Sequence, residues 1–249
     1  MKPSFENFSF SSTKKPVVIA IDGPAASGKS TVAYLLAKEL GFTYLDTGAM
    51  YRAFTWKVLN SNLDLEDEKS LSELAATVGI TLSARSSFPG VQVWVDGKEV
   101  SSLIRSPEVN KWVSRVSSIP GVRKALVEAQ RKIAQKSSTV AEGRDMGTVV
   151  FPQADVKIFL VASLEERARR RWKELQDRGI PCRWQEVKEE IYLRDKLDSG
   201  RETSPLKRAP DAFLLDNTHL NISETLQKLL DIVKSRIKID RSKGDSLVV

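Results

Sequence analysis

The 249-residue chain contains one cysteine and one histidine. Cys182 has no partner for an internal disulfide, and His219 alone leaves little material for a zinc site or a Ser-His dyad. Any metal would have to be a hard ion held by oxygen. Long hydrophobic runs are also missing. The longest apolar stretches, Val17 to Ile21 and Val156 to Ala162, are strand-sized and far short of a bilayer span. No secretory segment precedes them, so the chain reads as cytoplasmic with no membrane partner. Nor is there a run of five or six like charges, which argues against nucleic acid as a partner. Lys and Arg nevertheless outnumber Asp and Glu by 39 to 32, and a net charge of +7 points to an anionic ligand of nucleotide size.

What is present is the balance of a folded globular protein, 41% hydrophobic and 29% charged residues, with enough chain for a sizeable core. Met1 to Lys15, with Phe5, Phe8 and Phe10 but no periodicity, reads as a flexible arm. Val17 to Ile21 then form a continuous apolar run, as expected for a parallel strand buried on both faces. A loop follows, and after it a helix whose apolar positions Val32, Leu35, Leu36 and Leu40 share one face and whose end is marked by Gly41.

Between strand and helix lies Gly23-Pro24-Ala25-Ala26-Ser27-Gly28-Lys29-Ser30, a full match to the phosphate-loop pattern G-x-x-x-x-G-K-[ST], with Thr31 next in line. The glycines let backbone amides curl around phosphates, and the helix start adds its positive dipole end. Lys29 would reach the β and γ phosphates of ATP, and the Ser30 hydroxyl would ligate Mg2+. The bare pattern is moderately specific, but the flanking strand and helix are the context it requires. A GTPase would need an Asn-Lys-x-Asp segment, and Asn110-Lys111-Trp112-Val113 lacks the aspartate. Nothing suggests the repeats or coiled coil of a motor or transporter ATPase. A small-molecule kinase remains.

Three further segments carry charge where a cleft would form. Leu45-Asp46-Thr47-Gly48-Ala49-Met50-Tyr51-Arg52 should leave a second strand, and taken alone it is equally a helix start with a satisfied cap. Glu142-Gly143-Arg144-Asp145-Met146-Gly147-Thr148 sets an arginine and two acids at a strand end, where they must pair or bind phosphate. Arg194-Asp195-Lys196-Leu197-Asp198-Ser199-Gly200-Arg201 places basic groups at helical spacing around Asp198, or is a solvated helix face.

Together with the phosphate loop these segments closely resemble the bacterial cytidylate kinase family from about Val17 to about Arg236. The most specific stretch runs from Glu142 to Pro152 and into the strand Val156 to Leu160. Asp46 to Arg52, Arg194 to Arg201 and the trailing Ser204-Pro205-Leu206 are also in family form. Family members also carry Ser at the position of Thr47 and Asp at that of Glu142, swaps that keep the chemistry.

The resemblance implies an α/β fold, a P-loop parallel sheet flanked by helices, with an inserted α+β monophosphate-binding region and a helical lid. On this sequence the core takes residues 16–58, 139–162 and 209–249, the acceptor region 59–138 and the lid 163–208. Strands are expected at Val17 to Ile21, Phe42 to Leu45, Thr139 to Ala141, Val156 to Leu160 and Phe213 to Leu215. Within the insert, Gly79 to Ala84 and Val91 to Val100 read as strands, the second broken by the hairpin signal Asp96-Gly97. The cap pair Asn221 and Glu224 should start a closing helix whose Leu226, Leu229, Leu230 and Val233 face inward.

The implied activity is transfer of the γ-phosphate of ATP, with Mg2+, to CMP or dCMP by a monomer. Other P-loop kinases, of UMP or shikimate type, and a non-enzymatic ATP-binding module are the alternatives. By resemblance Lys29, Arg144 and Arg194 carry catalysis, and Arg52 and Arg144 grip the acceptor phosphate beside Thr47 and Tyr51. Ser114, Arg123 and Asp145 read the cytosine edge, while Asp198 with Arg194 holds the ribose. Arg201 serves base or phosphate. Arg167 and Arg171, in the arginine-rich start of the lid, cover ATP. No catalytic base is required, because the acceptor is already an anionic phosphate oxygen.

Overall fold

A strand that is apolar on both faces can be buried only if helices cover both sides of its sheet. The computed structural model describes residues 15–84 and 91–237 and meets that demand. The strands are β1 (Val18–Asp22), β2 (Thr43–Asp46), β3 (Ile80–Ala84), β4 (Val91–Val95), β5 (Lys98–Glu99), β6 (Thr139–Gly143), β7 (Val156–Val161) and β8 (Phe213–Asp216). Five of them form a parallel sheet in the order β2-β6-β1-β7-β8, with β1 at its centre. All five were expected, those at Val17 and Val156 also from their apolar runs and the others from the resemblance. The expected arm up to residue 14 and the tail after Ile237 lie outside the described residues.

The helices are α1 (Lys29–Leu40), α2 (Thr47–Leu59), α3 (Glu68–Thr77), α4 (Pro107–Val116), α5 (Pro120–Lys136), α6 (Leu164–Asp177), α7 (Trp184–Ser199) and α8 (Ile222–Arg236). α1 ends where Gly41 turns left-handed at φ 67° and its amide closes the last turn. Val32, Leu36 and Leu40 are buried with Ile19, Ile21, Ile158 and Leu160, whereas Leu35 is only half-buried. The buried face of α1 is instead completed by Ala33, Tyr34 and Ala37, because the helix packs on β1 and β6 along a line slightly rotated from the leucine stripe. α8 starts at the expected reciprocal cap, Glu224 N–H to Asn221 Oδ1 at 2.9 Å and Asn221 N–H to Glu224 Oε2 at 2.8 Å. Leu229, Leu230 and Val233 are buried there, with Leu226 partly so.

Between α2 and β6 the chain builds a second unit. β3, β4 and β5 form an antiparallel sheet, with Val91, Val93 and Val95 buried on one face and Asp96-Gly97 turning the chain at positive φ into β5. α2 is shared between the units. Its Ala49 and Ala53 meet the valines of β4, while Phe54 is sealed among Leu71, Val113, Val116, Ile119 and Val122 from α3, α4 and α5. Phe54→Ala should therefore lower unfolding stability by about 3–5 kcal/mol through loss of burial and a residual cavity. Urea denaturation checks this; a loss under about 1 kcal/mol would mean that the helices of the insert do not depend on α2.

Candidate active site

In an open parallel sheet the loops leaving the carboxyl ends of neighbouring strands converge on one crevice. The register makes the convergence tight here: Asp22 lies beside Gly143 and Asp46 beside Glu142. The loops after β1, β6 and β2 thus meet at one edge. They open into a single cavity of about 880 Å³ that α6 and α7 cover from above.

The loop after β1 is cut to fit. A Cβ at Gly23, whose φ is +153°, would lie 2.1 Å from the Leu160 carbonyl oxygen of β7, so only glycine lets the turn form against its neighbour. Gly28 takes φ 89° at the start of α1 and Ala26 φ 56° within the loop. Lys29 is buried, and its Nζ donates to the Pro24 carbonyl at 2.6 Å and to Ser27 Oγ at 3.3 Å. Burial and the Arg144 charge hold the Lys29 ammonium well below its ordinary pKa. Ala25 to Thr31 line the cavity, whereas Gly23 and Pro24, expected with them, do not.

Glu142, buried at the end of β6, hydrogen-bonds the Ser30 hydroxyl and accepts from Tyr44 Oη at 3.0 Å. Burial and the neighbouring Asp46 raise its pKa. Asp46 caps α2 by accepting the Ala49 amide at 2.7 Å, the structural role that its sequence context allowed. Thr47 Oγ1 donates to the Glu142 carbonyl at 2.6 Å. Arg52 folds back over Gly48, its Nη1 only 2.9 Å from where a Cβ would stand, and reaches the cavity without a hydrogen bond among the described residues.

Opposite the phosphate loop the arginines crowd together. Arg144 Nε donates to Asp198 Oδ2 at 2.7 Å, and Arg201 pairs with the other oxygen of the same carboxylate. Burial works against the Asp198 charge, but Arg144, Arg201 and Arg194 together hold its pKa below the usual range. Arg194, expected beside Asp198, lines the same cavity, and its buried Nε makes no hydrogen bond among the described residues. Burial, with Arg144 and Arg52 close by, brings Arg194 down to about 9. Burial also lowers Arg52 and Arg201. Mutually repelling cations in a buried cleft are what an anionic ligand would relieve.

Farther along the cavity Arg123 and Asp145 form an ion pair buried on both sides. Arg123 Nε donates to Ser204 Oγ at 3.1 Å and the guanidinium lies 5.5 Å from the Tyr51 ring centroid. Tyr51 Oη is buried and makes no hydrogen bond among the described residues, and burial pushes it to about 12. Ser114 stands in the adjoining wall.

The lid arginines divide differently from their spacing. Arg171 lines the cavity, paired with Glu174 at 2.9 Å. Arg167 does not face it: its side chain is buried against the Ala162 and Ala25 carbonyls and Asp195. Arg170, which the sequence did not single out, reaches the phosphate loop at the Ser27 carbonyl and the Asn217 carbonyl and side chain. Arg105 and Ser204 were also missed. Ser204 belonged to the quoted segment Ser204-Pro205-Leu206, which was the one available signal, while Arg105 had none because its approach to Asp46, at 3.8 Å, is set by tertiary packing.

A phosphate loop on a parallel sheet, closed by an arginine-bearing helical lid, defines this protein as a P-loop kinase. The comparisons narrow that class. The model of the family described as cytidylate kinase matches residues 19–235. The cytidylate kinase of Caldanaerobacter subterraneus subsp. tengcongensis is 52% identical over 89% of this chain and 96% of its own. That of Carboxydothermus hydrogenoformans is 53% identical over 86% and 96%, and that of Enterococcus faecalis 49% over 88% and 96%. The chain belongs to the cytidylate kinase family.

Asp22 supports the second of these loops from below. Its carboxylate accepts the amides of Met146 and Gly147, each at 2.8 Å, and so caps the wide turn Met146–Val150 that directly follows Arg144 and Asp145. Burial raises the Asp22 carboxyl to about 6 in spite of those bonds. A raised folded-state pKa means that the folded protein keeps the proton where the unfolded chain, near 4, has lost it. That stabilisation is present below pH 4 and disappears as pH rises through 6. The stability of wild type relative to Asp22→Asn should accordingly fall by roughly 2–3 kcal/mol between pH 4 and 7. Paired urea melts across that range measure it; a constant difference would show that Asp22 is ionised throughout.

Proposed function

We propose that this kinase transfers the γ-phosphate of ATP to CMP or dCMP, giving ADP and CDP or dCDP. The observation that carries the proposal is one continuous cavity with the phosphate loop at one end and the buried Arg123–Asp145 pair at the other. A nucleoside monophosphate laid along it would bring its phosphate among Arg52, Arg144 and Arg194 and its base to that pair. The cytosine edge offers an amino donor and, beside it, acceptors; a carboxylate and a guanidinium are their complements. A shikimate-sized acceptor would leave the pair without a use. We place the working unit as a monomer in the cytoplasm.

Catalysis of phosphoryl transfer is mostly alignment and charge neutralisation. Lys29 and the amides from Ala26 to Thr31 would hold the donor phosphates, with Arg170 and Arg171 above them. Arg52 and Arg144 would grip the acceptor phosphate, and Arg194, unpaired at its buried Nε, would meet the charge that spreads over the transferring oxygens. Asp198 would keep Arg144 and Arg201 aimed, and its remaining lone pairs could still accept from ribose hydroxyls. Ser114 would stand beside the base. For Mg2+ the donors present are oxygens of the right hardness, the Ser30 hydroxyl and the Glu142 carboxylate it touches. Among the described residues no three acids or histidines cluster to form a cage, so phosphate oxygens and water would complete the shell. When bound, the ion would neutralise β and γ oxygens. The lid would exclude water and prevent loss of ATP to hydrolysis.

The test is an acceptor screen with ATP and Mg2+. CMP and dCMP should turn over well, UMP less well, and AMP and shikimate at background; faster turnover of shikimate or AMP would overturn the proposal. In the same assay Lys29→Ala should lose about 100-fold or more in kcat, the usual scale for removing a charge at the transferring group.

Arg123→Met separates the base end from the donor end. The variant should raise the KM for CMP about ten- to a hundredfold, the worth of a charged hydrogen bond, and leave the KM for ATP nearly unchanged. Equal changes in both constants would assign Arg123 to the scaffold.

A further inference from the structure

Helix α7 faces two ways. Arg194 and Asp198 look into the acceptor end of the cavity, and Asp195, between them on the same turn, looks at the phosphate loop. Its Oδ1 accepts the Ala25 amide at 3.1 Å, and its Oδ2 pairs with Arg167. Arg167 in turn donates to the Ala25 carbonyl at 3.1 Å and to the Ala162 carbonyl at 3.0 Å. Both polar backbone groups of Ala25 are therefore tied to the lid. Ala25 also packs among Ala168, Leu175, Val187 and Ile191, so apolar contact already docks the lid on the loop. The ion pair adds direction to that docking.

We propose that Asp195 is a positioning residue that couples donor and acceptor sites, so that occupancy of one strengthens binding at the other. The inference rests on the function proposed above. The Ala25 peptide, whose N–H is held from α7 and whose carbonyl is held by Arg167, sets the course of the loop whose following amides, Ala26 to Thr31, would face the donor phosphates. The acceptor is met by Arg194 and Asp198, one residue before and three after Asp195 on that rigid turn. A shift of the helix that improves the acceptor contacts necessarily acts on the loop through Asp195, and the reverse holds by linkage.

Asp195→Asn is the sharp probe. A carboxylate accepts from the amide with one oxygen and from Arg167 with the other, whereas an asparagine has a single acceptor oxygen and must turn its NH2 toward one of two donors. Dissociation constants for CMP are measured by calorimetry with and without a non-hydrolysable ATP analogue and Mg2+. Wild type should bind CMP about tenfold more tightly when the analogue is present. The variant should bind CMP alone as wild type does, lose the enhancement, and fall in kcat more than the KM for CMP rises. If Asp195→Asn fails to melt cooperatively, Asp195→Ala, which introduces no opposing donor, carries the same measurement. An enhancement retained in the variant overturns the proposal. So does a wild type without enhancement, or a variant in which both single-ligand affinities and the melting temperature drop together, the mark of a structural brace. Wild type that binds neither CMP nor dCMP overturns the function itself; wild type that binds CMP, with an unaltered ratio in the variant, overturns only the coupling.

Discussion

The structure depends on holding like charges together inside a half-closed cleft. Lys29, Arg52, Arg144, Arg194 and Arg201 approach one another from four separate segments, and burial disfavours each of their charges. Two carboxylates keep the cluster assembled. Asp198 spans Arg144 and Arg201, and Glu142 lies between Lys29 and Arg144. Arg194 is left between them without a carboxylate of its own, its charge disfavoured first by burial and then by Arg144 and Arg52. The residual positive potential is stability given up for an anion that arrives later, the pattern expected of a preorganised electrostatic site.

The frame around this cluster was legible in the sequence for simple reasons. Parallel strands buried on both faces are continuous apolar runs, so β1 and β7 announce themselves, and the reciprocal cap of α8 is a local signature spelled by Asn221 and Glu224 alone. The phosphate loop is likewise local: strand, glycine turn, lysine and helix occupy consecutive positions. Family form carried the rest of the candidate residues, and most of them do line one cavity.

Which charge pairs with which was not legible, because pairing is decided by packing. Asp198 stands within a helical turn of both Arg194 and Arg201; it takes Arg201, as that spacing allows, but its other partner is Arg144, far away in sequence, and not Arg194. Arg167 and Arg171 share a helix face by spacing, but α7 packs against α6 so that Arg167 is pulled under the lid while Arg170 and Arg171 stay over the cavity. Asp22 offered no signal at all, since its partners are backbone amides more than a hundred residues away.

The strand order has a consequence in time. β1 carries the phosphate loop within the first part of the chain, but its two neighbours are β6 and β7, supplied by residues 139–143 and 156–161. The turn at Gly23 is shaped against the Leu160 carbonyl, and the cap from Asp22 needs the amides of Met146 and Gly147. Loop closures of this length are slow, and a nascent chain emerges amino terminus first. A growing polypeptide therefore contains the whole phosphate-loop motif well before residues 139–161, against which that loop is shaped, have been made: the motif is early in the chain and the site late.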